Sequence, residues 1–264
     1  MRFSIIVVSL NAGEELKNTV DSVLAQNYKD YEILVKDGGS TDGSVEMLPE
    51  DERIRILSQP DCSIYDAMNQ AVMEARGEYY LFLNCGDYLY SHMVLGRVAK
   101  QMALEPGDIY YGDLYRRQLH STDVSPERIT DFVCYRNVPC HQVCFYAAHL
   151  FRKRGYDLHY PVRADYEHFL YSVYEEHARC RHLPLVVSSY MGGGFSETEE
   201  HLQMAEAEHR EITENYLGKI KCLCYRLVML LTLQPLRAKL AQDERFSKYY
   251  HRLKRMLYRK KDLM

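Results

Sequence analysis

Three polar clusters follow apolar runs in the first third of the chain: Ser9-Leu-Asn11, Asp37-Gly-Gly-Ser40 and Asn84-Cys-Gly-Asp87. Each alone also makes an ordinary turn, because Gly, Asn and Asp supply turn geometry. At the carboxyl ends of neighbouring parallel strands they would instead converge on one cleft, where such sheets bind ligands. A carboxylate at that rim, Asp87, can hold Mg²⁺ or Mn²⁺, whose remaining oxygens come from water and phosphate. Asp37 can accept a hydrogen bond from a base N–H or a ribose hydroxyl, and the adjacent Gly38 lets a ligand approach the backbone. Asp165 and Glu167 stand at the expected start of a helix. There they either favour the helix dipole or supply a general base for a hydroxyl. His141 and Gln142 follow Pro139 at a polar-to-apolar boundary. His141 reads either as a structural histidine or as a site residue.

The elements needed to position these groups are legible in the pattern. Phe3–Val8 is a continuous apolar run with β-branched residues, expected of a strand buried on both faces. Tyr31–Val35, Ile54–Leu57 and Tyr79–Leu83 read as three more strands. Between them, Leu16, Val20, Val23 and Leu24 mark one helix. A second covers 64–76 with Ile64, Ala67, Met68, Ala71, Val72 and Ala75 inward, and Gly77 closes it. Ser40 and Thr41 are expected to cap a short helix through Met47. This alternation predicts a parallel sheet with helices on both faces. Later, Ile109–Tyr111 and Leu183–Ser188 look like strands, and 92–104, 164–178 and 197–217 look helical. Gly192-Gly-Gly194 reads as a flexible joint before Phe195-Ser196, either a lid or a plain loop.

Composition narrows the class. The chain has 264 residues, 47% hydrophobic and 27% charged, ample for a core. Its eight cysteines contain no Cys-x-x-Cys pair, which argues for reduced thiols rather than zinc or disulfides. Only Arg2 precedes the first apolar run, which is too short for a signal peptide, so a cytoplasmic protein is expected. Residues 218–264 carry thirteen Lys/Arg against Asp243, Glu244 and Asp262, while the rest of the chain is strongly acidic. The charge changes sign near Leu217-Gly218. That break sets an expected division into a catalytic domain, 1–217, and a basic helical tail, 218–264. Leucines within the tail suit either packing on the acidic body or an anionic membrane surface through 219–264. A nucleic-acid partner is disfavoured by the acidic body and the lack of a motif. No G-x-G-x-x-G or Walker lysine motif is present, which argues against dinucleotide and P-loop enzymes.

The ordered motifs Phe3–Asn11, Ser22–Tyr28, Asp37–Ser44, Ile64–Asn69, Gly77–Tyr79 and Leu83–Asp87 resemble glycosyltransferase family 2, most closely its bacterial surface-polysaccharide branch. The likeness continues sparsely through Tyr111–Asp113, His141-Gln142, Ala164–Glu167 and Gly193–Ser196. The resemblance implies an α/β fold of GT-A type: a mostly parallel sheet with flanking helices, plus the C-terminal helical extension. Residues 1–90 would be the nucleotide-sugar half and 91–217 the acceptor half. Ser9, Asn11, Asp37, Gly38, Asp66 and Asn84 would line the nucleotide-sugar pocket, with uracil the first candidate base. Asp87 would hold Mn²⁺ or Mg²⁺. Asp165 would be the base of an inverting transfer, with His141, Gln142 and Glu167 on the acceptor side. The acceptor would be a glycan or lipid-linked saccharide, met at the inner face of the plasma membrane. Three departures stand out: one aspartate in Asn84–Asp87 where two are usual, Ser63 for a common glycine, and Lys36 for a common acid. Without tryptophan the signature of processive synthases is absent, so one sugar per acceptor is expected. The other readings are a silent nucleotide-sugar-binding or scaffold subunit, and a nucleotidyltransferase. The latter lacks its glycine-rich basic loop after the first strand.

Overall fold

A computed structural model describes residues 1–192 and 199–231. The tail beyond 231, and residues 193–198, which hold all of the expected joint but Gly192, lie outside the described residues. By compactness the chain divides into two units, Met1–Ile212 and Thr213–Met264.

In the first unit, β1 (Phe3–Ser9) is buried along its whole length. It pairs in parallel with β2 (Tyr31–Asp37) on one side and β4 (Tyr79–Asn84) on the other. β3 (Ile54–Ser58) extends the parallel run beyond β2. The helices α1 (Glu14–Leu24) and α2 (Ile64–Glu74) connect these strands. α1 buries Leu16, Thr19, Val20 and Val23, and α2 buries Tyr65, Ala67, Met68, Ala71 and Val72. These are the stripes that the 3.6-residue period demands.

The sheet then changes character. β8 (Cys144–Ala147) runs antiparallel to β4, and β6 (Ile109–Arg116) runs antiparallel to β8. β9 (Cys180–Tyr190) returns parallel to β6. The short β5 (Tyr88–Leu89) closes the order β3-β2-β1-β4-β8-β6-β9-β5, and β7 (Ser121–Asp123) hangs from β6. This is the expected α/β class with a mostly parallel central sheet and flanking helices. Pairing of β9 with β6 slips between Tyr111 and Asp113, opposite the stretch holding Pro184, which has no N–H to give the ladder. α3 (Val94–Leu104), α4 (Asp131–Arg136), α5 (Ala148–Lys153), α6 (Ala164–Tyr174) and α7 (Glu199–Leu217) complete the order up to Gly218.

Two local expectations fail for stated reasons. No helix forms over 40–47, where Ser40 and Asp42 spend their side chains on Asn11 and Gly13 N–H groups. Such local bonds compete with helical ones. Gly77 does not end α2 in a left-handed cap. Its missing side chain admits β1: a Cβ there would lie 2.4 Å from Ser4 N and 2.6 Å from Phe3 C. All eight cysteines are free thiols.

The second unit contains α8 (Lys219–Leu231), preceded by Gly218 at φ +81°. Among the described residues no helix is long and apolar enough to cross a membrane.

Candidate active site

Register brings the three polar clusters together. Ser9 lies opposite Asp37, and Val8 opposite Asn84, so β1, β2 and β4 deliver their ends to one edge. The first two clusters are stitched into one another. Asn11, at φ +50°, accepts a 2.9 Å bond from Thr41 N–H, and its own N–H donates to Ser40 Oγ at 2.8 Å. Gly38 N–H donates to Ser9 O at 2.9 Å.

Asp37 is buried and closes its own loop. Its oxygens accept from Ser40 Oγ at 2.5 Å and from Gly39 and Ser40 N–H at 3.1 Å each. Lys36 is turned inward: its Nζ donates to Asp61 Oδ2 at 2.7 Å and Gln59 O at 2.6 Å. It thereby ties the end of β2 to the segment before α2. Asp61 in turn fills the space above Gly38, where a Cβ would come within 2.8 Å of its Oδ2. Ser63 caps α2 by accepting from Asp66 N–H at 3.1 Å, and Asp66 Oδ2 accepts from Cys62 N–H at 2.9 Å. That reciprocal pair resembles a capping box. The Cys62 N–H is the main reason the Asp66 carboxyl sits below its ordinary pKa.

The third cluster is built differently. Gly86, at φ +90°, donates its N–H to Thr19 Oγ1 at 2.9 Å. The Arg117 guanidinium donates to Gly86 O and lies 4.2 Å from the centre of the Tyr88 ring. Asp87 is 3% exposed, yet its acceptor contacts are long: Gln142 Nε2 at 3.3 Å and Met191 N at 3.4 Å. Burial pushes its pKa up to about 6, against the pull of Gln142, His141, Met191 and Arg117. Asn84 Oδ1, also buried, has no hydrogen-bond partner. Among the described residues no group of three His, Cys, Asp or Glu is placed to hold a metal. The chemistry still suits a hard cation. A buried, under-compensated carboxylate and, three residues before it, an orphan amide oxygen are the ligand types that suit Mg²⁺ or Mn²⁺, which keep several waters and share phosphate oxygens.

Asp165 stands in the first turn of α6. Burial works against its ionised form, but hydrogen bonds and the charge of His141, with a hydrogen bond from Tyr65, prevail and hold its pKa below the ordinary carboxylate value. His141 Nδ1 lies 3.0 Å from Asp165 Oδ2, and Tyr65 Oη donates to Oδ1 at 2.9 Å. His141 and Gln142 occupy one 3-10 turn, His141–Val143. One side chain reaches Asp165 and the next reaches Asp87. Glu167, expected on the acceptor side, is held differently from Asp165. It is buried against Arg154, which donates to its two oxygens at 2.9 and 2.7 Å. Two residues along a helix point to different sides, so Glu167 follows the core while Asp165 faces His141. Neither Tyr65, though inside the motif Ile64–Asn69, nor Arg117 was singled out by the sequence as a site residue. One occupies an apolar helix stripe and the other follows a strand end.

Residues 4–168 match the family described as glycosyl transferase family 2. A "PGL/p-HBAD biosynthesis glycosyltransferase" of Mycobacterium bovis (BCG Pasteur) is 36% identical over 204 residues, covering 74% of this chain and 79% of the relative. Among solved structures, S. aureus TarS 1–349 in complex with UDP is 18% identical with a TM-score of 0.63, over 82% of this chain and 71% of that one. Against a longer TarS chain the match covers 43% of its length. The mannosyltransferase PcManGT of Pyrobaculum calidifontis, in complex with GDP-Man and Mn²⁺, has a TM-score of 0.58 at 15% identity, over 95% of this chain and 83% of that one. The two structural likenesses concern the fold. The family match and the mycobacterial relative establish that this chain, with its polar clusters gathered at the ends of β1, β2 and β4, belongs to glycosyltransferase family 2.

Proposed function

We propose that the chain transfers a single sugar, with inversion, from a UDP-sugar to a glycan or lipid-linked acceptor in surface-polysaccharide assembly. The observation that carries this reading is the pairing of two unlike acids through one turn: Gln142 on Asp87 and His141 on Asp165. Asp165 takes the proton of the acceptor hydroxyl. The freed oxygen bonds to the anomeric carbon as the bond to the diphosphate breaks on the opposite face. Asp87, with Asn84 beside it, would hold Mn²⁺ or Mg²⁺. When bound, the cation supplies charge neutralisation for the departing diphosphate. Ser9, Asn11, Asp37, Gly38 and Asp66 line the nucleotide side, and His141 with Gln142 the acceptor side. Uridine is favoured because one solved structure of this fold is a complex with UDP and another with UDP-GlcNAc.

A thermal-shift panel of nucleotide sugars with Mn²⁺ tests the donor. A true donor at about 100 times its Kd adds roughly 2.7 kcal/mol of apparent stability. Asp165→Asn tests the chemistry, with donor binding kept and transfer lost by about 10²–10⁴-fold. Turnover near wild type would remove Asp165 as the base. Binding without any turnover in the wild type would instead favour a silent nucleotide-sugar-binding subunit.

The catalytic domain would be 1–217, and the tail would meet the inner leaflet. Support comes from α8, where Ile220 (81%), Leu223 (59%) and Leu231 (84%) are exposed beside Lys219, Lys221 and Arg226. Apolar and basic residues on one helix suit an anionic surface. Removing 219–264 should lower binding to phosphatidylserine-containing vesicles, and an unchanged partition would sink the membrane role.

A further inference from the structure

We infer that Tyr65 is a positioning residue of the transfer reaction: its hydroxyl, opposite His141, fixes the orientation and charge of the Asp165 carboxylate. The inference rests on the reading of Asp165 as the base. Tyr65 is the second residue of α2, one position before Asp66, so it belongs to the nucleotide half of the molecule. Its hydroxyl crosses to the acceptor half, donating to Asp165 Oδ1 at 2.9 Å and lying 3.0 Å from Val162 O. Its ring is held by the buried Tyr156, 5.2 Å away between centroids. A buried, packed phenol sets an oxygen with less freedom than a surface side chain would.

The surroundings of Asp165 leave few other ways to hold its charge. Facing it are His141 from the 3-10 turn, Tyr65 from α2, Cys140, Cys144 and Tyr146 around β8, Tyr156, and His168 from α6. Burial keeps most of these neutral. Cys140 is pushed up to about 12, Cys144 and the three tyrosines well above their ordinary values, and His168 down to about 3. His141 Nδ1, 3.0 Å from Oδ2, is the basic group that faces the Asp165 carboxylate. One oxygen therefore meets His141 and the other Tyr65, with the backbone N–H of Tyr166 as a further donor to the carboxylate. A hydrogen bond to the charged form favours that form. Losing the Tyr65 bond should raise the proton affinity of Asp165 and free the carboxylate to rotate.

The test uses full-length protein labelled with ¹³C at the aspartate carboxyls, with Asp165→Asn identifying the Asp165 resonance. Tyr65→Phe, which keeps the ring, should raise the proton affinity of that carboxyl by roughly threefold to tenfold. His141→Leu should raise it too, and His141→Asn, which can still donate, should recover part of the change. With the donor selected by the Mn²⁺ panel, Tyr65→Phe should lower kcat about tenfold or more, leave the donor KM unchanged, and move the acid limb of the kcat profile to higher pH. A merely structural tyrosine, pinning α2 to Val162, would leave the Asp165 titration and the acid limb where they are. That result would overturn the inference even if stability fell. If Tyr65→Phe misfolds, the His141→Leu and His141→Asn pair still decides whether donors on Asp165 set its titration, and equal titrations in both would overturn it. An active Asp165→Asn protein would instead defeat the base itself, an outcome distinct from an unmoved titration.

Discussion

The corners at Asp37 and Asp87 lie at one edge of the sheet, separated by the width of β1, and they satisfy their carboxylates in opposite ways. Asp37 receives Ser40 Oγ and the N–H groups of Gly39 and Ser40 within 3.1 Å. Asp87, equally buried at 3%, receives two bonds of 3.3 and 3.4 Å, and its neighbour Asn84 Oδ1 receives none. A buried carboxylate with good donors builds structure. One without them costs stability and persists where a ligand supplies the missing charge. The first corner is thus a finished loop, and the second is one that a bound ligand would complete.

The largest test of this contrast is catalytic. Asp87→Asn should remove several kcal/mol of transition-state stabilisation, about 10²-fold or more in Mn²⁺-supported turnover. Chelation of the wild-type enzyme should do the same. Full activity in EDTA would end the metal role of Asp87. The second effect has the opposite sign and needs no ligand. The folded Asp87 has its pKa raised from 3.8 to about 6. The fold therefore favours the protonated form, and this contribution is complete below pH 3.8 and lost as pH rises through about 6. Above that window the ionised carboxylate is a burden of at most ~3 kcal/mol. Metal-free Asp87→Asn should accordingly be more stable than wild type at pH 7.5, with the gain gone near pH 4. Urea unfolding at the two pH values measures it, and a pH-independent difference would refute the account. Asp37→Asn should behave oppositely, losing about 1–2 kcal/mol because the amide cannot replace a carboxylate for three donors. If both substitutions shifted the urea midpoint in the same direction at pH 7.5, the two corners would not differ as described. The smallest expected effect is at Ser63→Ala, about 1 kcal/mol from a lost helix cap. It should leave metal dependence untouched, and thermal melts with and without Mn²⁺ would show this.

Much of the first half was readable from the chain itself. Strands β1, β2 and β4 are predominantly apolar runs, and α1 and α2 carry clean stripes, so period and punctuation suffice there. The second half was thinner. β8 has four residues and β5 two, below the length at which alternation registers. The short helix expected after Asp37 failed because Ser40 and Asp42 bond to residues some thirty positions back, a demand invisible to local propensity. Ser63 and Lys36, odd against the family pattern, gain plain roles as a helix cap and as the tether to Asp61. Glu167 shows the limit at the site. Its spacing from Asp165 was clear, but whether it met substrate or Arg154 depended on the helix face.

By itself the sequence determined the alternation of buried strands and amphipathic helices, and it placed acids at strand ends. Those features are set by local periodicity and by turn chemistry. Only the tertiary structure decided how each acid is used, because a carboxylate's role follows from its donors and its burial. Asp37 meets its own loop, Asp66 a cap, Asp165 a histidine and a tyrosine from elsewhere in the chain, and Asp87 almost nothing.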